Sequence, residues 1–156
     1  MEPENSTLAK VHSLFTKDAA RSDKPRQAAR LLVVDDDETE TVLLAHELKK
    51  VNVEALCARD GMQAINLVAA EKLRASRTPL FDLILLDLKM PKISGPETMV
   101  KLRLLAPDIP IVIYTQYPKS EEMAAAMKLG FFGVIEKPID MNKLVNIFTA
   151  YHLHVE

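Results

Sequence analysis

The stretch that decides the fold is FDLILLDLKMPKISG, which runs from Phe81 to Gly95. Its Leu83–Leu86 segment is apolar without alternation, a pattern typical of a central parallel strand that helices cover on both faces. The apolar run ends at Asp87, and a turn rich in proline, serine and glycine follows. Because ligands bind just outside the carboxyl ends of strands in an open parallel sheet, Asp87 lies where chemistry is expected. An Asp at this position can also simply cap the turn, so the residue alone leaves both interpretations open.

The composition is that of an ordinary globular chain. Its 156 residues suffice for one domain with a sizeable core, and contents of 48% hydrophobic and 27% charged residues are in the usual range. A net charge of -2 gives no reason to expect nucleic acid or an anionic membrane as a partner. The amino terminus lacks the pattern of a secretion signal, and no apolar run approaches the roughly 20 residues that cross a bilayer. We therefore expect a cytoplasmic protein.

The chain has a single cysteine, Cys57, which excludes an internal disulfide and a cysteine-based metal site. It lies in the apolar run VEALCA. This position predicts a buried and unreactive thiol.

Strand patterns and helix patterns alternate along the chain. Short apolar runs are each followed by residues with the i, i+3, i+4, i+7 spacing of an amphipathic helix. Five strands alternating with five helices predict an α/β fold, a doubly wound parallel sheet with right-handed crossovers and helices on both faces. The expected strands are Leu31–Val34, Val53–Ala58, Leu83–Leu86, Ile109–Tyr114 and Phe131–Ile135.

The sequence also predicts where the helices begin and end, and which side they bury. Asp37, Asp60 and Asp140 stand where they can cap the first, second and fifth helices. Pro96 suits the first turn of the third helix, and Gly130 suits the end of the fourth. The residues expected to face the core are Leu44, Leu48 and Val51 in the first helix, Ile65, Val68, Ala69 and Leu73 in the second, Met99, Leu102 and Ala106 in the third, Met123, Ala126 and Met127 in the fourth, and Leu144, Ile147, Phe148 and Tyr151 in the fifth.

Residues 1–29 differ from the rest of the chain. They are mixed in charge, contain two prolines and hold no continuous apolar run. We expect a flexible or weakly docked N-terminal extension here, followed by one domain over residues 30–156. A short helix with one apolar face is a further interpretation of Leu8, Val11, Leu14 and Phe15.

Polar residues follow four of the five strands, at the point where each strand ends. Because parallel strands end at one edge of the sheet, three carboxylates gather there, and each pair repels by about 4 kcal/mol at about 4 Å with an effective dielectric of about 20. Either a protonated carboxylate or a divalent cation offsets this repulsion, and oxygen-only ligands fit Mg2+ best. A lysine and a threonine hydroxyl complete the parts of a phosphoryl-transfer site with a carboxylate nucleophile. The residues are Asp35, Asp36, Asp87, Thr115 and Lys137.

Each of these residues has a structural alternative when taken alone. An aspartate after the first strand can cap the helix that follows, and Asp37 is the better placed for that part. Thr115 can be a plain strand end, and Lys137 an exposed lysine before a turn. The functional interpretation depends on the four strand ends together, since each of them carries the group that the chemistry needs.

These strand ends resemble the receiver domain of response regulators in two-component signalling. The matching segments are LLVVDDDE at the first strand, LILLDLKMPKISG at the third, IVIYT at the fourth and GVIEKP at the fifth. The resemblance covers about Arg30 to Tyr151. It implies a flavodoxin-like (βα)5 fold with strand order 2-1-3-4-5.

The resemblance implies a role for each carboxylate. Asp87 would be the phosphoacceptor and would also contact the metal, Mg2+ or Mn2+. Asp36 would be a direct metal ligand, and Asp35 would help directly or through water. The main-chain carbonyl of Lys89 would complete the protein's share of the metal site.

On the phosphate side, the resemblance implies that Lys137 pairs with a phosphoryl oxygen and that Thr115 moves toward the phosphoryl group on activation. The bond before Pro138 would be cis. One position departs from the family pattern, because receivers usually carry an aromatic residue after the glycine of the fifth strand and this chain has Val134. Tyr117 is our hypothesis for a substitute reporter of the phosphorylated state.

The resemblance also implies partners. A sensor histidine kinase or a histidine phosphotransfer protein would supply the phosphoryl group, and a downstream target protein would dock on the surface of the fourth helix, fifth strand and fifth helix. The reaction is self-modification, so we do not expect an enzyme that turns over a released substrate. We expect a stand-alone regulator that is a monomer or a weak homodimer through the apolar fifth helix, with neither nucleic acid nor membrane as partner.

Three other interpretations stay open. The segment VVDDDET also matches the strand end of haloacid-dehalogenase-like phosphatases, with Asp35 as nucleophile and Asp37 as acid/base. That class needs a later acidic pair for its metal, and only Asp140 and Glu156 follow Lys137. A receiver-like interaction module that is never phosphorylated is the second alternative. A flavin-binding electron carrier is the third, and the acidic segment DDDETE disfavours it because such a carrier needs a phosphate-cradling loop there.

Overall fold

The apolar runs of the sequence form the strands, and the segments with helical spacing form the helices between them. The computed structural model describes residues 29–50, 52–74, 81–144, 146–147 and 150. Residues 141–144, 146–147 and 150 are helical and are called α5. The other elements are β1 Ala29–Val34, α1 Glu38–Lys49, β2 Val53–Ala58, α2 Gly61–Arg74, β3 Leu83–Leu86, α3 Gly95–Leu105, β4 Ile111–Thr115, α4 Glu121–Leu129 and β5 Gly133–Glu136.

The five strands form one parallel sheet in the order β2-β1-β3-β4-β5. This confirms the doubly wound α/β fold and the strand order that the resemblance implied. The register places Val34 beside Leu86 across β1 and β3, and Thr115 beside Glu136 across β4 and β5. The residues that follow these strand ends therefore meet at one edge of the sheet, which we call the carboxyl edge.

Two apolar cores lie on the two faces of the sheet, because successive side chains of a strand point to opposite faces. The four residues of β3 are all buried and contribute to both cores. One core includes Leu32, Val34, Val68, Met99 and Leu102, and the other includes Leu31, Val33, Leu48, Tyr114 and Leu144.

The expected helix ends are confirmed. Asp37 accepts a hydrogen bond from the Glu40 N–H at 3.1 Å, and Asp60 accepts one from the Gln63 N–H at 2.8 Å. Gly130 ends α4 with φ of 77°, a conformation that glycine adopts without steric strain. In the same way Asp140 accepts a hydrogen bond from the N–H of the second residue after it, at 2.8 Å.

Two helix positions expected in the core are exposed. Leu73 is 90% exposed, because it follows the buried Val68 by five residues and so lies about 140° around the helix from it. Met127 is exposed as well, because the buried stripe of α4 is narrow and Met127 lies about 100° past Ala126. The sequence pattern therefore predicted a wider buried face on α2 and on α4 than the structure has.

The expected burial of Cys57 is also wrong, since its side chain is exposed. β2 is an edge strand with a single neighbour in the sheet, so its covering layer is incomplete.

β1 begins at Ala29, before the expected start at Leu31, and Ala29 pairs with Val53. The N-terminal extension and the apolar positions Val51, Phe148 and Tyr151 lie outside the described residues. The proposed homodimer through α5 therefore stays a prediction. Within the described part of the chain, no helix is both long enough and apolar enough to span a membrane.

Candidate functional site

Three carboxylates converge at the carboxyl edge of the sheet. Asp35 follows β1 and Asp87 follows β3, and the register of these two strands sets them side by side. Each of Asp35, Asp36 and Asp87 offers one oxygen, and these oxygens lie within 4.8 Å of one another. They line a cavity of about 130 Å³ whose walls are Asp35, Asp36, Asp37, Glu40, Asp87, Lys89, Gln116, Tyr117 and Lys137.

Lys137 lies among the carboxylates with its side chain only 7% exposed. Its Nζ donates hydrogen bonds to Asp35 Oδ2 at 2.9 Å and to Asp87 Oδ2 at 3.2 Å. Glu40 Oε2 forms an ion pair with the same Nζ at 3.0 Å, although without hydrogen-bond geometry. Burial lowers the pKa of Lys137, but the three carboxylates outweigh burial and raise it. The lysine is therefore a fixed positive charge.

Asp35 is held on both of its oxygens. Its side chain is 0% exposed, Oδ1 accepts the Asp37 N–H at 3.0 Å, and Oδ2 accepts Lys137 Nζ and the hydroxyl of Tyr114. Burial raises the pKa of Asp35, and these hydrogen bonds together lower it below the ordinary value. Asp35 is therefore an ionised carboxylate inside the protein.

Asp87 is the carboxylate with the opposite shift. Burial raises its pKa to about 6, an effect that Lys137 opposes and the neighbouring Asp35 reinforces. Its Oδ1 accepts the Lys89 N–H at 3.4 Å. Near neutral pH most of the Asp87 side chains are ionised, poorly solvated and less strongly paired than Asp35, as a nucleophile requires.

Thr115 lies at the end of β4 and is fully buried. Its Oγ1 accepts the Tyr117 N–H at 3.0 Å, and the residue is not among those that line the cavity. The expected role of the Thr115 hydroxyl toward a phosphoryl group therefore stays a prediction that involves a movement of this strand end.

Tyr117 and Lys89 meet across the mouth of the cavity. The Lys89 Nζ lies 4.4 Å from the centre of the Tyr117 ring, and about half of the tyrosine is exposed. This contact links the loop after β4 to the loop after the phosphoacceptor candidate. The expected metal ligand on the Lys89 side, its main-chain carbonyl, stays a prediction.

The two remaining expectations concern β5. The Lys137–Pro138 peptide bond is cis, as the resemblance implied. Val134 is partly buried and packs against the core that contains Met123 and Ala126. An aliphatic side chain thus occupies the position where receivers usually have an aromatic one.

Sequence reasoning missed two residues of the site. Tyr114 was interpreted as part of a buried strand, yet its hydroxyl donates to Asp35 and its ring lies 4.5 Å from Lys137 Nζ. Glu40, an acidic residue in the first turn of α1, pairs with Lys137. A tyrosine immediately before Thr115 was the available signal, because a buried phenol needs a hydrogen-bond partner.

The residues present fit a divalent cation. Mg2+ takes oxygen ligands at about 2.1 Å in octahedral geometry, so oxygens on opposite sides of the ion lie about 4.2 Å apart. The cluster of Asp35, Asp36 and Asp87 is only slightly wider than that. Asp36 is exposed and offers the ion an open approach from solvent.

The arrangement does not suit the phosphatase alternative. That interpretation needs Asp35 as an accessible nucleophile and Asp37 as acid/base, but the Asp35 side chain is fully buried and Asp37 caps α1. It also leaves Asp87 without a part in the chemistry.

A family model and several known proteins match this chain. The family model "Response regulator receiver domain" matches residues 31–149. Transcriptional regulatory protein ZraR of Klebsiella oxytoca is 32% identical over 114 residues, which are 73% of this chain and 24% of that protein, so the chain spans about a quarter of its length. Sporulation initiation phosphotransferase F of Bacillus subtilis is 27% identical over 122 residues, which are 78% of this chain and 92% of that protein.

A solved structure shows the same likeness. A response regulator protein from Burkholderia pseudomallei, with a phosphorylated aspartic acid, calcium ion and citrate, superposes with a TM-score of 0.67 and 26% identity. The match covers 81% of this chain and 70% of that one. Together with the family model, these matches show that the chain belongs to the response regulator receiver domain family.

Proposed function

We propose that this protein accepts a phosphoryl group on Asp87, with Mg2+, and signals through protein docking that depends on the phosphorylated state. The observation that supports this most is the position of Asp87, a buried carboxylate next to Asp35 and Asp36 and 3.2 Å from the ammonium of Lys137. A nucleophile, a carboxylate pair for a metal and a fixed cation thus lie within one small cavity. The phosphorylated aspartic acid of the Burkholderia relative is in keeping with this proposal.

In the proposed reaction an Asp87 oxygen attacks the phosphorus of a phosphohistidine in line with the bond that breaks. A phosphorus–oxygen bond forms, the phosphorus–nitrogen bond breaks, and the imidazole leaves with its electron pair and takes up a proton. The product is an acyl phosphate on Asp87. Water later attacks the same phosphorus, the bond between the phosphorus and the Asp87 oxygen breaks, and inorganic phosphate leaves, which restores the carboxylate.

The protein's share of catalysis is positioning and charge stabilisation. Lys137 is paired with three carboxylates, so in the proposed reaction its contact with Asp87 is replaced by one with a phosphoryl oxygen, while Asp35 keeps the lysine in place. Thr115 would supply a hydroxyl after its strand end moves. Mg2+, held by Asp36 and Asp87 with Asp35 and the Lys89 carbonyl as further candidates, would neutralise the negative charge of the phosphoryl group.

This chemistry modifies the protein itself, and we do not assign it as an enzyme with a released substrate. The proposed donor is a sensor histidine kinase or a histidine phosphotransfer protein in the cytoplasm, and the proposed output is docking on a target protein. The homodimer belongs to the same proposal.

The test is intact-mass spectrometry after incubation with acetyl phosphate, with and without Mg2+. One added phosphoryl group that requires Mg2+ and is absent in Asp87→Ala supports the proposal. Asp82→Asn is the matched control, because this aspartate lies at the opposite edge of the sheet, where it accepts the Arg30 N–H at 2.9 Å. It should be phosphorylated like the wild type.

Two other results would contradict the proposal. No adduct, and no binding of beryllofluoride, would favour the interaction module that is never phosphorylated. Phosphate release from many donors that survives Asp87→Ala and disappears in Asp35→Ala would favour the phosphatase.

Tyr117 is proposed as the residue that reports phosphorylation, in place of the aromatic that Val134 replaces. Its N–H bond to Thr115 and its contact with Lys89 tie it to both sides of the cavity. Tyr117→Ala should therefore weaken phosphorylation-dependent binding of the target protein while Asp87 is still phosphorylated. Unchanged binding by the phosphorylated variant would show this hypothesis to be wrong.

A further inference from the structure

The Asp35 carboxylate has little left to offer a metal ion. A carboxylate can accept about four hydrogen bonds, two on each oxygen. Oδ2 already accepts Lys137 Nζ and the Tyr114 hydroxyl, and Oδ1 accepts the Asp37 N–H. The side chain is 0% exposed, so the remaining site on Oδ1 does not face solvent. A hydrated cation at the open edge meets Asp36 and Asp87 first.

Tyr114 reaches this carboxylate from inside the protein. It lies in β4, next to the buried Thr115, and its ring belongs to the core that includes Val33 and Leu44. The residue is 2% exposed. A buried phenol needs a hydrogen-bond partner, and Asp35 is the partner of Tyr114 here, so their bond is a fixed part of the site.

We propose that Tyr114 is a positioning residue, whose hydroxyl holds Asp35 against Lys137 and keeps that carboxylate from coordinating the metal directly. The cation then rests on Asp36 and Asp87, and Asp35 orients the lysine. This inference rests on the proposed function, since it concerns the metal and the lysine that serve phosphorylation of Asp87.

The effect of removing the hydroxyl follows from this geometry. Tyr114→Phe leaves the ring in the core and frees one position on Asp35 Oδ2. The carboxylate then gains freedom to turn toward the cation, so Mg2+ binds more tightly. The same turn takes an anchor from Lys137, so phosphorylation at saturating Mg2+ becomes slower. A variant that merely loosened the fold would weaken Mg2+ binding and slow phosphorylation together.

The test is a double-mutant cycle on Mg2+ affinity, measured by isothermal titration calorimetry without any phosphodonor. Tyr114→Phe should tighten Mg2+ binding by about threefold to tenfold, the usual range for one hydrogen bond. In the Asp35→Asn background the same substitution should have no effect, because the carboxylate that it frees is absent. The phosphorylation rate with acetyl phosphate at saturating Mg2+ is the second readout, and it should fall in Tyr114→Phe.

Thr98→Val is the matched control. The Thr98 hydroxyl is fully buried and donates to the Ser94 carbonyl at 2.8 Å, at the start of α3. Its removal deletes a buried hydroxyl outside the cavity and should change neither Mg2+ affinity nor the phosphorylation rate.

Several results would overturn the inference. Unchanged or weaker Mg2+ binding in Tyr114→Phe would overturn it. An equal increase in Mg2+ affinity when Tyr114→Phe is introduced into the Asp35→Asn variant would also overturn it. If Tyr114→Phe does not fold, the variants Asp35→Asn and Asp36→Asn decide. Asp35→Asn should weaken Mg2+ binding much less than Asp36→Asn does. Equal losses of Mg2+ affinity in the two variants would contradict the inference. Failure of the wild type to bind Mg2+ would overturn both this inference and the proposed function, whereas the other results leave the proposed function intact.

Discussion

At each end of the sheet a cation lies among carboxylates and over an aromatic ring. The two cations differ in how deeply they are buried. At the carboxyl edge, Lys137 is 7% exposed, touches three carboxylates and lies 4.5 Å from the ring of Tyr114. At the opposite edge, Arg30 lies 5.1 Å from the ring of Phe81 and has 27% of its side chain exposed. The two ends contain similar residue types, but the Arg30 side chain is more accessible to water than the Lys137 side chain.

The partners of Arg30 are more open to solvent than Asp35 and Asp87, since 58% of the Glu54 side chain and 23% of the Glu71 side chain are exposed, against 0% and 9%. The Arg30 guanidinium lies 3.2 Å from Glu71 and 3.8 Å from Glu54. Water screens such pairs, which stabilise a fold by about 1 kcal/mol or less. At the carboxyl edge burial raises the pKa of Asp87, whereas the hydrogen bonds from Asp37, Tyr114 and Lys137 outweigh burial and lower the pKa of Asp35. Burial, more than the number of charges, separates a reactive site from a surface ion-pair group.

The largest predicted effect is the difference in phosphorylation rate between variants that lack one or the other of these two cations. Lys137→Ala should slow phosphorylation by acetyl phosphate about 100-fold or more, as expected when one positive group is removed from a transition state. Arg30→Ala, the matched variant, should leave the rate within about twofold, since its charge is screened and lies at the other end of the strands. The rates come from intact-mass time courses at saturating Mg2+. Equal losses in both variants would contradict the comparison.

The next effect concerns stability without metal. The pKa of Asp87 is raised from 3.8 to about 6, so its ionised form costs the folded state free energy at neutral pH, and this cost fades as the pH falls from about 7 through 6 toward 3.8. Asp87→Asn should therefore raise the free energy of unfolding by up to about 3 kcal/mol at neutral pH, and by less near pH 5. Urea unfolding in EDTA measures both values.

Asp82→Asn is the control for that prediction. Asp82 accepts the Arg30 N–H, so its replacement should destabilise the fold by about 1 kcal/mol. A loss of stability in Asp87→Asn as well would show that the carboxyl edge is no more strained than the opposite one.

A smaller effect concerns the pH dependence of metal binding. Protons compete with Mg2+ for Asp87, and a pKa of about 6 predicts an affinity about fourfold lower at about pH 5.5 than at about pH 7.5. Calorimetric titrations at both pH values measure the ratio. Asp87→Asn should bind more weakly and lose most of this dependence, and a dependence that persists there would assign the proton to another group.

The smallest effect concerns Glu40. It adds a third negative charge beside Lys137, so Glu40→Gln should weaken Mg2+ binding by about twofold to fivefold, through loss of one partly screened charge. Glu38→Gln is the control, since Glu38 lies on the same helix but pairs with the exposed Arg59. Calorimetry of both variants decides, and equal changes would mean that Glu40 acts only through the net charge of α1.

Much of the fold follows from the sequence, because unbroken apolar runs such as Leu83–Leu86 and β-branched runs such as the one before Asp35 fix the strands. The strand ends then fix which polar residues meet at the carboxyl edge. The order of the strands depended on the resemblance, since the apolar pattern does not say which strands are neighbours. Leu73, Met127 and Cys57 were assigned to the core wrongly, because a local pattern shows neither how wide a helix stripe is nor which strand lies at the edge.

The sequence predicts which residues gather at the site, but it does not predict which of them contact one another. Asp35, Asp36, Asp87 and Lys137 stood out because each interrupts an apolar pattern. Tyr114 did not, since a tyrosine within a strand is usually a core residue, and whether its hydroxyl reaches Asp35 depends on how the sheet places β4 relative to β1, with β3 between them. Which carboxylate is fully paired, and which is left reactive, is a property of the tertiary structure.

The most direct test of the central claim is the location of the phosphoryl group. After incubation with acetyl phosphate and Mg2+, reduction of the acyl phosphate with borohydride and proteolysis, tandem mass spectrometry identifies the modified residue. We predict modification at Asp87, in the buried cluster with Lys137, and at no other aspartate. Modification at Asp35, at Asp82 on the opposite edge, or at none of them would contradict the claim that burial makes Asp87 the phosphoacceptor.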